Sequence, residues 1–316
     1  MPLNIPLVEL PEPLLSQEIQ RLQLSPEHEQ AVRQFARDGY FVLHTELPMA
    51  LLDHAAQAIR QLCYAPDGSL RQTRIMDAWM VEDAFRQIAI ADKVLRYLRL
   101  FYQREPIPFQ TLNFPVGTEQ KTHSDTIHFH SYPPRYMCGV WVALEDVDAD
   151  SGPLHYYVGS HKLPLYELYD IGRCGTLAFS TPQPEHYGHY ESFVESFIAS
   201  QGFERKELEL KKGEALIWAA NLFHGGSPIR NRARTRFSQV THYYFENCIY
   251  YSPLMSDPYV GRVYIKPVID IRTKRFVPSR FNGRRVSLFY GQTFLGKLRQ
   301  LAKVGYLLYR LHTKKV

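Results

Sequence analysis

The chain has 316 residues, enough for one large domain or two small ones. Its hydrophobic fraction of 45% and charged fraction of 22% are typical of a globular protein, and no window has the roughly 18 apolar residues that a membrane span needs. The net charge of +5 is too small to indicate nucleic-acid binding by itself.

The cysteines and the amino terminus bear on the cellular compartment. The four cysteines are scattered, with neither a Cys-x-x-Cys pair nor the spacing of a disulfide framework: Cys63, Cys138, Cys174 and Cys248. The first residues, MPLNIPLVELPEPLL, contain prolines and acids where a secretory signal needs a basic start and an unbroken apolar run. We therefore expect reduced thiols in a cytoplasmic protein.

Residues 1–108 have mostly helical patterns. Ser25-Pro26-Glu27 is typical of a helix start, with a capping hydroxyl, a proline at the first position and an acid near the positive end of the helix dipole. This helix is predicted to end before Gly39, and the apolar run at 40–43 predicts a strand. Further helical patterns follow Pro48 and begin near residue 81.

Residues 109–246 have the pattern of strands separated by turns rich in Gly, Pro, Asp and Ser. The predicted strands are 109–116, 123–130, 137–144, 154–158, 215–219 and 237–245. Many short strands of this kind favour a mainly β fold with flanking helices, built around a double-sheet barrel of the jelly-roll type. A less regular insertion, 165–202, is expected to be a lid or to be disordered.

Residues 247–316 are predicted to form a hairpin at 263–277 and a basic amphipathic helix at 293–311. The apolar stripe of that helix consists of Phe294, Leu298, Leu301, Leu308 and Leu311. The stripe fits contact with a membrane surface, packing on its own domain, or a homodimer. Because the chain has no internal repeat and no evident linker, we predict a single domain over 1–316.

A split set of three residues carries the strongest chemical signal. His123 and Asp125 are two positions apart in a predicted strand and would share one face, and His224 follows an apolar strand about a hundred residues later. Two imidazoles and a carboxylate can cover one face of an octahedral Fe(II) and leave the other open for co-substrate and oxygen. The pattern predicts an iron-dependent oxygenase; purely structural histidines are the alternative.

Four segments around this set follow one another in a distinctive order: 123–129, 140–145, 151–154 and 159–162. Together with His224-Gly225-Gly226-Ser227 and Arg236 they resemble the phytanoyl-CoA dioxygenase family, over about residues 38–246. The chain looks like a bacterial-type member rather than the phytanoyl enzyme itself. The resemblance implies a double-stranded β-helix (jelly-roll, cupin-like) core, Fe(II), and 2-oxoglutarate as co-substrate.

The resemblance also implies roles for individual residues. The iron ligands would be His123, Asp125 and His224. Trp141 occupies the family position beside the co-substrate and equally fits a core strand, and Ser227 could hydrogen-bond a carboxylate of 2-oxoglutarate or shape a turn. Gln110 and Asn113 lie on a strand that could border the pocket, and its register decides which of them faces inward.

The far carboxylate of 2-oxoglutarate needs a fixed cation, and a guanidinium suits it better than an ammonium. Arg234 and Arg236 both fit. We choose Arg236, because it leads directly into the strand at 237–245 and matches the family's spacing to His242. The basic run 230–234 is then a solvated turn, with a phosphate or nucleic-acid patch as the alternative.

The predicted reaction is hydroxylation of an unactivated C–H bond of a small metabolite, with release of succinate and CO2. Desaturation or cyclisation at the same site and a non-catalytic jelly-roll binding protein are the alternatives. Halogenation is disfavoured because it requires a small residue at the position of Asp125. His128 and His130 are expected near the pocket, facing substrate or supporting the ligands. The expected partners are the small-molecule substrate, 2-oxoglutarate and O2, with no nucleic acid.

Overall fold

The structure, a computed structural model, describes residues 4–173, 184–289 and 294–313. Its helices are α1 (Leu14–Leu22), α2 (Pro26–Asp38), α3 (Met49–Cys63), α4 (Asp83–Ala89), α5 (Asp92–Tyr102), α6 (Pro184–Gln201) and α7 (Phe294–Thr313). Its strands are β1 (Tyr40–His44), β2 (Ile75–Met76), β3 (Pro106–Phe114), β4 (His130–Tyr132), β5 (Met137–Ala143), β6 (Leu154–Tyr157), β7 (Arg205–Leu208), β8 (Glu214–Ala219), β9 (His224–Gly226), β10 (Ser238–Phe245), β11 (Ile249–Tyr251), β12 (Val268–Asp270), β13 (Arg275–Val277), β14 (Arg280–Phe281) and β15 (Arg284–Arg285).

Two antiparallel sheets frame the centre of the molecule. The larger sheet has the strand order β1-β8-β5-β10-β3-β2, and the smaller has the order β7-β6-β9. Side chains from both sheets form one hydrophobic cluster, including Trp141 and Leu216 from the larger sheet and Tyr156 and Leu208 from the smaller. The two sheets therefore pack against each other through this cluster.

The amino-terminal helices cover the opposite face of the larger sheet. Because side chains alternate along a strand, Val140 and Ile217 point away from the smaller sheet, although their neighbours Trp141 and Leu216 point towards it. Val140 and Ile217 belong to a second cluster that contains the buried faces of α2, α3, α4 and α5. The larger sheet is thus buried on both faces.

The predictions for the helix that begins after Ser25 and for the strand at 40–43 are confirmed. Ser25 caps α2, since its hydroxyl accepts a hydrogen bond from the backbone N–H of His28 at 3.3 Å. The helix ends at Asp38, and Gly39 has a φ of 83°, the left-handed conformation that closes many helices. The chain then enters β1, which pairs with β8.

The predicted class, mainly β, is corrected to a mixed one. Helix, with the 3-10 turns included, accounts for about 39% of the described residues and strand for about 24%. The amino-terminal region and α7 are helical as predicted, and α6 adds 18 residues that the sequence did not indicate. Strands such as β2 and β14 have only two residues each. The sequence pattern predicted the longer strands but missed short ones such as β2 and β14, because two residues are too few to show a strand periodicity.

The predicted strand at 123–130 is wrong. His123 makes only an isolated bridge to His224, and a 3-10 turn, Asp125–Ile127, follows. The Ser124 hydroxyl accepts a hydrogen bond from the Thr126 N–H at 3.3 Å, the kind of local bond with which serine competes against sheet pairing. Only β4 at the end of the segment pairs regularly, with β11.

The insertion predicted at 165–202 contains a regular helix. Tyr190, Val194 and Ile198 of α6 form a buried cluster with Ile127 and Phe223. Residues 174–183 of the insertion lie outside the described residues. The helix therefore packs against the segments that carry Asp125 and His224.

The carboxyl-terminal elements occur where the sequence predicts them. β12 and β13 form an antiparallel hairpin within 263–277, and α7 covers most of the predicted helix. No helix in the described ranges is long and apolar enough to cross a membrane. Cys63, Cys138 and Cys248 are free and buried, while Cys174 falls in the gap at 174–183. The cytoplasmic location and the single domain remain predictions.

Gly39→Ala should destabilise the fold more than its matched control, Gly68→Ala. The φ angles are 83° and 82°, so both substitutions strain the backbone to a similar degree. A Cβ at Gly39 would lie 2.6 Å from Cγ of His161, whereas nothing lies within 4 Å of one at Gly68. We expect the free energy of unfolding in urea to fall by about 1 kcal/mol for Gly68→Ala and about 2–4 kcal/mol for Gly39→Ala. Equal losses would contradict the steric argument.

Candidate active site

His123, Asp125 and His224 converge although Asp125 belongs to a 3-10 turn. Nε2 of His123 lies 3.8 Å from Oδ1 of Asp125, and Nε2 of His224 lies 3.9 Å from Oδ2. One donor atom from each residue lies within 4.8 Å of the others. The backbones of His123 and His224 exchange two hydrogen bonds, of 2.9 and 3.0 Å, that hold the histidines side by side. All three side chains are buried.

Backbone carbonyls orient both imidazoles. Nδ1 of His123 lies 2.9 Å from the carbonyl of Lys121, and Nδ1 of His224 lies 2.9 Å from that of Leu222. Because a carbonyl only accepts, Nδ1 carries the hydrogen in each ring, and the Nε2 lone pairs face the triangle. Burial lowers the pKa of both histidines to about 4, so the rings are neutral at neutral pH. Neutral imidazoles are the form that binds a metal.

Trp218 fixes the carboxylate. Its indole Nε1–H donates a hydrogen bond of 2.9 Å to Oδ2 of Asp125. Gly139, which is paired with Trp218 across β5 and β8, has no side chain, and a Cβ there would overlap the indole. The sheet thus leaves room for the tryptophan to reach Asp125. The result is a set of two nitrogen donors and one oxygen donor, which suits a divalent metal such as Fe(II).

The triangle opens into a cavity of about 240 Å³. Three residues at and before β10 share its wall: Arg236, Val240 and His242. His242 lies at the triangle, with Nε2 3.8 Å from Oδ2 of Asp125. Because side chains on one face of a strand are spaced at even intervals, the wall runs from the triangle at His242 to the guanidinium of Arg236.

Arg236 is a buried cation without an acidic partner in the part of the chain that the structure describes. Only 4% of the residue is exposed, and burial lowers its pKa to about 10, which still leaves it charged at neutral pH. Nη1 donates a hydrogen bond to the carbonyl of Gly152 at 2.7 Å, and Nε has no hydrogen-bond partner among the described residues. A buried charge without a counter-ion is costly, and a carboxylate entering the cavity would relieve that cost.

Arg234, the competing arginine, is placed differently. Its side chain is 44% exposed, and Nη2 lies 2.7 Å from Oδ2 of Asp148. It does not line the cavity. Arg230 and Arg232 likewise lie at the surface, paired with Glu207 and Glu119. This arrangement agrees with the solvated turn expected for 230–234.

The strand register separates the two candidates on β3. Gln110 faces the cavity, and its Oε1 lies 3.1 Å from Nδ1 of His242. Asn113 faces the opposite side of the strand, where its amide donates to Oε1 of Gln239 at 3.1 Å. The structure therefore corrects the expectation that Asn113 belongs to the site, because residues an odd number of positions apart lie on opposite faces of a strand.

The remaining candidates are placed as follows. Trp141 lines the cavity, with the Arg236 guanidinium 5.2 Å from its ring centre. Ser227 is buried but does not line the cavity, and its hydroxyl accepts a hydrogen bond from Arg205 at 3.1 Å. His128 lines the cavity, whereas the ring of His130 packs on Tyr251 with 5.1 Å between ring centres.

Two residues of the site were missed in the sequence. Trp218 lies in the predicted strand 215–219, and Gln120 lies between the predicted strands 109–116 and 123–130, so neither position marks a site residue. The Gln120 amide lies 3.2 Å from Nε2 of His123, at the lone pair that a metal would use. Alternation along the strand before His224 could have placed Trp218 on the same face as Leu216, but the distance to Asp125 depends on the fold.

The comparison with known families covers most of the chain. The profile described as Phytanoyl-CoA dioxygenase (PhyH) matches residues 17–237. The chain belongs to the phytanoyl-CoA dioxygenase family. Within this family it is similar to the peroxisomal phytanoyl-CoA dioxygenase of Rattus norvegicus, with 26% identity over 233 residues, which is 69% of this chain and 62% of the rat protein. The Bos taurus enzyme is 25% identical over 191 residues, 51% of its length. The chain thus spans between about half and two thirds of these relatives.

Solved structures show that the fold is shared more widely. The α-ketoglutarate-dependent epimerase SnoN of nogalamycin biosynthesis is similar with a TM-score of 0.54 and 19% identity, covering 71% of this chain and 85% of SnoN. EctD from S. alaskensis, solved with 2-oxoglutarate and 5-hydroxyectoine, has a TM-score of 0.54 and 19% identity, covering 84% of this chain and 89% of EctD. At 19% sequence identity, these structural similarities show that the chain shares the fold of SnoN and EctD.

Trp218→Phe should weaken Fe(II) binding by about 10- to 100-fold, because it removes the hydrogen bond that orients Asp125 and keeps an aromatic ring in its place. Anaerobic titration with Fe(II) measures the change. Trp79→Phe is the matched control, since it removes an indole hydrogen bond to Asp77 elsewhere in the protein. If both variants bind iron like the wild type, the indole does not position the carboxylate.

Proposed function

We propose that this member of the phytanoyl-CoA dioxygenase family is an Fe(II)- and 2-oxoglutarate-dependent dioxygenase that hydroxylates an unactivated C–H bond of a small metabolite and releases succinate and CO2. The proposal rests on the observation that two groups of residues line the same cavity. One is the His123, Asp125 and His224 triangle, and the other is the buried Arg236.

The triangle supplies the metal ligands of the proposed enzyme. His123 and His224 are neutral and present Nε2. Oδ2 of Asp125 accepts from Trp218, and Oδ1 lies 3.8 Å from Nε2 of His123. This donor set suits Fe(II), and it leaves positions for other ligands. Iron and 2-oxoglutarate, when bound, supply the oxidising chemistry of the reaction.

Arg236 supplies the charge that a dicarboxylate co-substrate needs. A guanidinium can bind a carboxylate through two parallel hydrogen bonds, and Nε of Arg236, which has no partner in the described part of the chain, is available for one of them. Trp141 borders the guanidinium and would restrict where the co-substrate lies. Gln110 contacts His242 along the same wall. Arg236 and Trp141 would hold the co-substrate in the cavity, while the contact of Gln110 with His242 would fix the wall beside it.

The fold and the single domain belong to the same proposal. The cavity is lined from the larger sheet by Trp141, Trp218 and Val240, and from the smaller sheet by Leu154 and Gly226. We infer that the two sheets form the double-stranded β-helix, or jelly roll, of such oxygenases. The helices and the carboxyl-terminal hairpin would then be additions to one oxygenase domain.

The reaction type rests on Asp125 and on the size of the cavity. A carboxylate at this position disfavours halogenation, which replaces that ligand with halide. The cavity of about 240 Å³ is smaller than the roughly 300–1,000 Å³ of common ligand pockets, which favours a small metabolite. SnoN is an epimerase and SnoK, with a TM-score of 0.55, a carbocyclase, so product analysis must distinguish hydroxylation from cyclisation or desaturation.

Asp125→Ala should abolish the visible charge-transfer band that a bidentate keto acid gives on Fe(II). Loss of the carboxylate removes one of three ligands and the only charged one. The measurement is an anaerobic titration with Fe(II) and then 2-oxoglutarate, in halide-free buffer so that no anion replaces the carboxylate. Asp146→Ala, at an exposed aspartate, is the control and should keep the band. No band in the wild type would overturn the proposal.

Arg236→Lys should weaken 2-oxoglutarate binding by about 10- to 100-fold and leave Fe(II) binding unchanged, because an ammonium cannot reproduce the two parallel hydrogen bonds of a guanidinium. Arg234→Lys is the matched control and should bind both ligands like the wild type. Titration of the charge-transfer band gives both affinities. The opposite result, with only Arg234→Lys impaired, would transfer the role to Arg234.

A further inference from the structure

The charges of the chain are unevenly distributed along the sequence. Residues 271–316 contain twelve Lys and Arg residues and no Asp or Glu. Since the whole chain has 37 basic and 32 acidic residues, residues 1–270 have 25 basic and 32 acidic ones, a net charge of −7. The carboxyl-terminal segment is therefore a basic region attached to an otherwise acidic chain, a pattern typical of interaction with anionic partners.

Within this segment, α7 presents an apolar stripe to solvent. The exposed members of the stripe recur at helical spacing and have exposures of 40–76%: Phe294, Leu298, Leu301 and Leu308. The opposite face is held by the protein, because Gln300 is buried and Leu307 and Leu311 pack against the main hydrophobic cluster. Packing on its own domain therefore explains one face of the helix and leaves the stripe uncovered.

Basic residues flank the stripe. On a helix with 3.6 residues per turn, Lys297 falls on one side of it and Arg299 on the other. Both are exposed, and neither forms an ion pair with any residue in the described ranges. Helix α7 contains no acidic residue. An apolar stripe between cations is the pattern of a helix that lies in the plane of a membrane surface.

The inner face of α7 is attached to the rim of the cavity. Arg310 donates a hydrogen bond of 3.3 Å to the carbonyl of Met76, which lines the cavity. Gln300 donates a hydrogen bond to the carbonyl of Ile265. The next residue in the chain, Lys266, has its amine 4.5 Å from the ring centre of Phe129, which lines the cavity. A surface bound to the outer face of α7 would thus lie beside the cavity.

We propose that the outer face of α7 docks the protein on an anionic lipid surface. The exposed leucines and Phe294 enter the boundary between headgroups and acyl chains, and Lys297 and Arg299 contact lipid phosphates. The helix lies on the bilayer and does not cross it, in agreement with the lack of a spanning helix among the described residues. The proposal is independent of the chemistry at the His-Asp-His triangle.

Charge favours lipid over the other occupants of such a face. A second copy of the chain would bring two basic faces together, and like charges in contact repel. The phosphates of a nucleic acid would bind the cations of α7, but they would make no favourable contact with its exposed stripe of leucine and phenylalanine. An anionic bilayer can bind the cations through its headgroups and bury the apolar stripe at the edge of its acyl chains.

The test is co-sedimentation of the full-length protein with vesicles. We expect binding to vesicles containing about one third phosphatidylglycerol, weaker binding to pure phosphatidylcholine, and a loss of binding as salt is raised. Lys297→Glu with Arg299→Glu should lower the partition coefficient by about tenfold or more. Leu298→Gln with Leu301→Gln should do the same, since each exposed leucine loses its apolar contact with the bilayer.

Matched variants separate the helix from general effects. Arg71→Glu with Lys162→Glu changes the net charge equally at exposed positions outside the segment, and Leu62→Gln with Leu70→Gln changes two exposed leucines elsewhere. Both controls should bind like the wild type. Failure of the wild type to bind anionic vesicles, or equal binding by helix and control variants, overturns the proposal. A concentration-dependent dimer that only the leucine variants of α7 abolish, without vesicle binding, would assign the stripe to a second copy instead.

Discussion

The hydrogen bond between the Trp218 indole and the Asp125 carboxylate connects the larger sheet to the proposed metal site. Asp125 lies in a 3-10 turn, so no sheet ladder fixes its side chain. The position of its carboxylate depends on an indole near the carboxyl end of β8, which can approach only because residue 139 is glycine. The geometry of the donor set therefore depends on side-chain packing inside the sheet as well as on the backbone at the ligands.

The larger sheet also separates two environments. One face is covered by helices and is apolar, whereas the other encloses the cavity with the smaller sheet. In the cavity, burial keeps His123 and His224 neutral, and Arg236 stays charged with no acidic partner among the described residues. The low polarity of the cavity thus keeps the two histidines in the neutral form that binds a metal. It also makes binding of a carboxylate beside Arg236 favourable. Both effects come from the exclusion of water by two packed sheets.

The sequence predicted the chemistry of the site better than its local structure. His123, Asp125 and His224 could be named because few residue combinations make such a donor set, and the structure brings them together. The strand expected at 123–130 was wrong, because the bond from Thr126 N–H to the Ser124 hydroxyl has no signature in hydrophobic periodicity. Asn113 was misplaced for a related reason: β3 is buried on both faces, so polarity does not reveal its register. Arg236 is buried and Arg234 is exposed. The sequence could not distinguish them, because burial depends on how the chain folds.

Helix α6 has a consequence for the cooperativity of the site. Tyr190, Val194 and Ile198 pack with Ile127, two residues after Asp125, and with Phe223, immediately before His224. Two of the three proposed ligands are thus held by a helix that belongs to neither of the two central sheets. Local opening of this helix would loosen both ligand segments together, so the insertion and the metal site form one unit of local stability. The rigidity of the site is therefore shared with a helix that supports the ligand segments from outside both sheets.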